Sequence, residues 1–185
     1  MRYQFLAALA LTLAASHAIA EEKPPIPLAE LCQQVYCRAP DIRLRVGDGR
    51  VFEQRLDTPA PVLMPNGWMT VYPGETVYVE VEQQGDALKL LRAVPKLEKP
   101  ATTLVLKFEQ LAGKTDMMLT VTNPLSIVVR FDMGFMAMDS SRIRATSSCP
   151  VQAGLSLFEH WPHPIFQLVL AKPRVLAAGD DHSCK

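Results

Sequence analysis

Val77, Val79 and Val81 are separated by Tyr78 and Glu80, and Glu82 follows. A period of two sends successive side chains to opposite faces of an extended backbone, so this stretch predicts a strand buried on one face. Ile42, Leu44 and Val46 alternate with Arg43 and Arg45 in the same way. Gly47-Asp48-Gly49 then supplies a turn where positive φ costs little, and Val51 to Leu56 returns, which predicts a β-hairpin. Leu104, Leu106 and Phe108 form another alternating set. Met117 to Thr122 and Ile127 to Phe131 flank Asn123-Pro124-Leu125-Ser126, and they predict two antiparallel strands joined by a compact turn, with Ile127, Val129 and Phe131 facing the core. Shorter strand segments are expected at Trp68 to Tyr72, Arg142 to Thr146, Leu155 to Phe158 and Ile165 to Leu170, with Val175 and Leu176 ending the sheet. Leu88 to Val94 fits a strand or a helical turn, because Leu88 and Leu91 also share a helical face. Leu28 to Tyr36 has room for a short helical turn only.

Between these segments the chain is broken by turn formers. Pro59, Pro61, Pro65, Asn66 and Gly67 crowd one stretch, and Pro73-Gly74 follows soon after. Proline removes a ladder donor and fixes φ, so these positions separate strands rather than lie within a central one. Roughly eight to ten short strands and no long amphipathic helix predict an all-β fold, a two-layer β-sandwich, with a small β-barrel as the alternative.

The first twenty residues do not belong to this pattern. Arg2, an almost wholly apolar run from Phe5 to Ala15, and Ala18-Ile19-Ala20 are the three parts of a secretory signal peptide. Its removal predicts a mature chain from Glu21 to Lys185, with 18 Lys plus Arg against 19 Asp plus Glu and a formal charge of −1. That balance gives no electrostatic footprint for nucleic acid or an anionic membrane. No later apolar run reaches the roughly 20 residues that span a bilayer, so no transmembrane segment is expected in the mature chain. Residues 21–40 read as an extended leader containing Pro24, Pro25 and Pro27, and residues 41–185 as a single domain. The location expected is the periplasm, with secretion as the alternative.

All four cysteines, Cys32, Cys37, Cys149 and Cys184, fall in the exported part. An oxidising compartment favours two disulfides. Cys32–Cys37 and Cys149–Cys184 are the expected pairs, since the other pairings need both distant segments to meet twice. The first would staple the leader, and the second would tie down the C-terminal tail. The four residues between Cys32 and Cys37 do not match the tight CxxC spacing of thioredoxin-like centres.

Tyr72-Pro73-Gly74-Glu75 before the valine strand, and Leu119-Thr120-Val121-Thr122-Asn123-Pro124 before the Ile127 strand, resemble immunoglobulin-like β-sandwich envelope domains over Ile42 to Leu170. The cross-sheet Cys…Trp…Cys arrangement of immunoglobulins is missing. The resemblance implies a scaffold, and sandwich scaffolds carry many unrelated functions.

Candidate chemistry concentrates in two places. Met133, Met136 and Met138 offer three thioethers, and soft sulfur suits Cu(I). Met136 and Met138 would share a face of an extended segment, and a bend at Gly134 would bring Met133 towards them. His160 and His163, expected in a proline-constrained connection, complete this copper reading as further ligands. Packing or an adaptable partner surface is the ordinary account of the methionines and stands ahead of metal ligation. Trp68, Tyr72 and Tyr78 are the aromatic candidates for a partner-binding surface, with Tyr78 on the exposed face of its strand. Arg43 and Arg45, and Glu80 and Glu82, read as solvated strand faces. No Walker loop, dinucleotide fingerprint, HExxH or EF-hand occurs, and Ser156 with His160 lacks an acidic partner at a specified spacing.

The reading that follows is an exported, non-catalytic protein that binds a protein or envelope component. It would do so through an aromatic and Met surface, or by pairing a ligand strand with an open sheet edge. Pro59 to Gly67 and His160 to Pro164 are the loops that would protrude if it were an enzyme inhibitor. A copper-binding periplasmic protein is the alternative, and otherwise no cofactor is expected.

Overall fold

A computed structural model describes residues 26–185. The signal-peptide reading, and the leader as far as Pro25, lie outside the described residues. The chain runs through one helical turn, α1 (Leu28–Leu31), and then β1 (Cys37–Arg38), β2 (Asp41–Gly47), β3 (Arg50–Arg55), β4 (Ala60–Pro61), β5 (Met69–Val71), β6 (Glu75–Gln84) and β7 (Ala87–Val94). There follow β8 (Thr103–Gln110), β9 (Met117–Thr122), β10 (Val128–Met136), β11 (Ile143–Thr146), β12 (Ser156–Trp161) and β13 (Gln167–Leu176). The fold is all-β.

Eight strands lie in the antiparallel order β11-β10-β13-β7-β6-β8-β9-β12, a path that curls on itself, and β5 pairs with β13 beside it. The joint in the middle is slender. Along β13 and β7 only Arg174 and Ala87 face each other, so most of β7 has a ladder on one side only. The β2–β3 hairpin and the two-residue β1–β4 pair are separate small sheets.

Alternation decides what goes inside. Val77 and Val79 on β6, Leu104, Leu106 and Phe108 on β8, and Met117, Leu119 and Val121 on β9 all turn into one core. Val129 and Phe131 on β10, Leu168 and Leu170 on β13, and Met69 and Val71 on β5 enter it from the rest of the curl. Ile42 and Leu44 of the hairpin join the same core while Arg43 and Arg45 stay in water. Each such side chain contributes about 1.5–3 kcal/mol through its removal from water.

The two ends of the path meet through side chains. The indole N–H of Trp161 on β12 donates to Thr146 Oγ1 on β11 at 3.0 Å, and the Cys149 amide donates to Glu159 Oε1 at 2.9 Å. Trp161 also meets Phe108 edge-on, with ring centroids 6.3 Å apart. Burial raises the Glu159 carboxyl above its ordinary value, and the Cys149 amide only partly offsets this.

Both expected disulfides are closed, Cys32–Cys37 and Cys149–Cys184. Two closed disulfides match a chain that folds in an oxidising compartment. Among the described residues no helix is long and apolar enough to cross a membrane.

Some sequence expectations need correcting. Met117–Thr122 and Val128–Met136 are not partners in a hairpin, since β9 pairs with β8 and β12 while β10 pairs with β11 and β13. The turn between them is instead built by fully buried Asn123, whose amide donates to Ile127 O at 2.8 Å, Val151 O at 3.3 Å and Gln152 O at 3.2 Å. Leu88 to Val94 is strand and not helix. Glu80, expected in water, is buried at 3% exposure. His160 and Trp161 belong to β12, so the connection begins only at Pro162.

Candidate functional site, an apolar groove beside an open strand edge

The site begins with Arg38. Its Nε and Nη2 donate to the two carboxylate oxygens of Glu75 at 2.9 and 3.0 Å. Nη1 reaches Ala60 O and Pro61 O at 3.0 and 2.7 Å, and Nη2 reaches Thr70 O at 2.7 Å. The guanidinium also lies 5.0 Å from the centre of the Tyr72 ring. One half-buried cation therefore ties the N-terminal segment to β4, β5 and β6. The Cys32–Cys37 staple sits next to it, and Val62 N–H donates to Tyr36 O at 3.3 Å. The leader past Pro25 is thereby fixed against the domain.

A second wall is a tight turn. Met64 N–H donates to Trp68 O at 2.8 Å, Gly67 N–H to Met64 O at 2.9 Å, and Trp68 N–H to Asn66 Oδ1 at 3.1 Å. Gly67 takes φ +79°, which an L side chain would strain. Leu63 and Met69 close the turn as an isolated bridge onto β5.

The third wall is β7. Glu80 faces Arg92 and Val81 faces Leu90 across the β6–β7 ladder, which leaves Leu91 as an inserted residue. Such a bulge twists a strand and re-aims its side chains. Among the described residues the backbone of Lys89–Ala93 hydrogen-bonds to β6 and to no other strand.

Together the walls enclose a groove of about 550 Å³. Ile26, Leu31, Gln34, Val35 and Tyr36 line one side, Leu63, Met64, Pro65 and Gly67 the second, and Leu90, Leu91, Arg92 and Ala93 the third. Ile26, Val35 and Leu91 are 42%, 37% and 45% exposed, so apolar surface faces water beside unpaired backbone groups. This combination can take an extended chain: free N–H and C=O groups accept a new strand and the groove accepts its side chains.

The residues singled out from sequence sit differently. Tyr72 is buried: its hydroxyl accepts from Gln167 Nε2 at 3.1 Å, its ring meets Phe166 edge-on at 5.9 Å, and burial raises its phenol above the ordinary value against the opposing pull of Arg38. Tyr78 is half-buried on β6, opposite Val94 and Val105. Trp68 is partly exposed at the end of the Met64–Trp68 turn. Of these three aromatics Trp68 is exposed, Tyr78 half-buried and Tyr72 buried.

The methionine segment is a regular strand. Register with β13 is continuous from Asp132 to Met136, so Met133 and Met136 point to opposite faces, and Met133 is buried. Gly134 makes no bend. A Cβ there would lie 2.7 Å from Ile143 Cγ2 and 3.0 Å from Arg144 O, so glycine is needed for the close approach of β11. Met138, beyond the strand, packs against the core. His163 lies against Phe135, ring centroids 5.3 Å apart, while His160 on β12 pairs with Asp116 at 3.0 Å. The histidines are thus engaged separately.

Sequence reasoning missed Leu90, Leu91 and Arg92. The available signal was the doublet itself: two adjacent apolar residues between Lys89 and Arg92 break alternation, and one of them must face solvent or a partner. Compared with known protein families, with curated proteins and with solved structures, the chain finds no match in any of the three.

Proposed function

We propose that this is an exported, non-catalytic binding protein of the periplasm that receives an extended segment of a partner protein by strand addition to β7. The observation that carries this reading is the coincidence of an unpaired strand edge with a largely apolar groove whose walls are tied by a disulfide and a half-buried ion pair. Backbone hydrogen bonds would supply affinity without regard to sequence, and the groove would select side chains. The rigid walls favour binding, since little conformational entropy remains to be lost on the receiving side.

In the exporting cell, a photoreactive residue at Val35 should form a covalent adduct with a partner protein. Leu91→Asp should abolish that adduct without shifting the urea midpoint of the purified protein, because Leu91 is an exposed bulge residue. An adduct that survives Leu91→Asp, or a probe that labels no protein, overturns the proposal.

A further inference from the structure

Among the described residues that line the groove, Arg92 is the charged one and none is acidic. Its guanidinium is already gripped from behind. Nε lies 3.1 Å from Glu80 Oε2 and Nη2 lies 3.2 Å from Glu80 Oε1, while Lys99 Nζ reaches the same Oε2 at 3.2 Å. The Glu80 side chain is 5% exposed, whereas those of Arg92 and Lys99 are each 59% exposed. One buried carboxylate thus orients two cations that face water; Glu98, which also acts on Arg92, is itself paired with Lys96, so one positive charge is still left over. Nη1 of Arg92 donates to nothing among the described residues. Lys89, exposed on the same strand, stands opposite Glu82 across the ladder and so adds nothing to this excess.

We propose that the segment added to β7 is acidic as well as apolar: it places an Asp or Glu carboxylate on Arg92 Nη1 next to an apolar side chain that enters the groove. This rests on the strand-addition reading and names its partner chemistry. A carboxylate meeting a guanidinium makes a charge-assisted hydrogen bond, roughly twice as strong as a neutral one. Glu80 holds the guanidinium in position beforehand, so the bond forms at little further cost in side-chain ordering. The same charges disfavour a second copy of this chain as the occupant. Antiparallel pairing of β7 with itself would set Lys89 and Arg92 of one copy among those of the other, and like charges across a ladder destabilise it.

The test selects nine-residue peptides, randomised at every position, on the immobilised oxidised protein, and maps the leading synthetic peptide by amide chemical shifts. Enriched peptides should combine apolar residues with Asp or Glu, and should shift the amides of Leu88–Val94. Replacing their acidic residue with Gln or Asn should weaken binding about tenfold, the scale of one charge-assisted hydrogen bond. Arg92→Met should erase that difference. Because Arg92→Met leaves Glu80 short of a partner, Glu80→Gln/Arg92→Met, which removes both charges together, is the second variant. Peptides that shift β7 without acidic bias, or whose affinity ignores Arg92, overturn the charge inference and leave strand addition standing. Peptides that bind elsewhere, or none enriched at all, overturn both.

Discussion

Glu80 faces outward on β6 and yet has almost no contact with water, because Arg92 and Lys99 close over it. The Arg92 hydrogen bond holds its carboxyl below the ordinary 4.5 against the opposing effect of burial, and Lys99 assists. A carboxyl whose folded pKa is depressed stabilises the fold above its unfolded value, and this is lost as pH falls through the folded value. Glu80→Gln should therefore unfold at lower urea than the native protein at neutral pH. The two midpoints should converge below the carboxylate range, and urea titrations from pH 7 to pH 3 would show it. Only half of this arrangement was legible in the sequence. The alternation of Val77, Val79 and Val81 put Glu80 on the face away from the valines, but that face is covered by residues 12 and 19 positions further on. Nothing local encodes such a cover.

At the scale of elements, the C-terminal tail shows how a disulfide and a buried charge act together. Arg130 on β10 is 2% exposed and no carboxylate pairs with it among the described residues. Its Nη1 and Nη2 donate to main-chain oxygens, Asp181 O at 3.0 Å, Ser148 O at 3.4 Å and Ser183 O, while Nε has no partner among the described residues. Ser148 and Lys185 exchange backbone hydrogen bonds beside the Cys149–Cys184 bridge. The tail thus supplies two of the acceptors that make a buried guanidinium tolerable. Replacing both cysteines with Ser should cost about 3–4 kcal/mol, the loop-closure value for a 35-residue separation. In an Arg130→Met background the same replacement should cost less, since the released tail no longer strips a buried charge of its partners. Equal losses in the two backgrounds, measured by urea denaturation, would show that Arg130 and the tail are independent. The pairing Cys149–Cys184 was readable from sequence by proximity, whereas Arg130 read as one more polar position in an alternating strand.

For the whole molecule, the question is what keeps the curled sheet closed when its terminal strands share no ladder. Trp161 and Glu159 on β12 reach across to Thr146 and Cys149. Thr146→Val keeps the shape of the side chain and removes the acceptor, leaving a mostly buried indole N–H unpaired. The expected loss is about 1–3 kcal/mol, with Trp fluorescence moving to the red if the seam opens. No change in either reading would mean that core packing, including the Phe108 contact, holds the seam alone.

Strand positions, the side of each strand that is apolar and the two cysteine pairs follow from residue order. Side-chain alternation is fixed by local backbone geometry, and both disulfides join cysteines close enough in the chain to find each other. Which strands become neighbours does not follow. Any strand can offer its N–H and C=O groups to any other, and the choice rests on long-range packing and loop closure. Hence β9 and β10 read as a hairpin and are not one, and the unpaired side of β7, the covers over Glu80 and Arg130, and the groove walled by Tyr36, Leu63 and Leu91 exist only once segments far apart in the chain have been packed together.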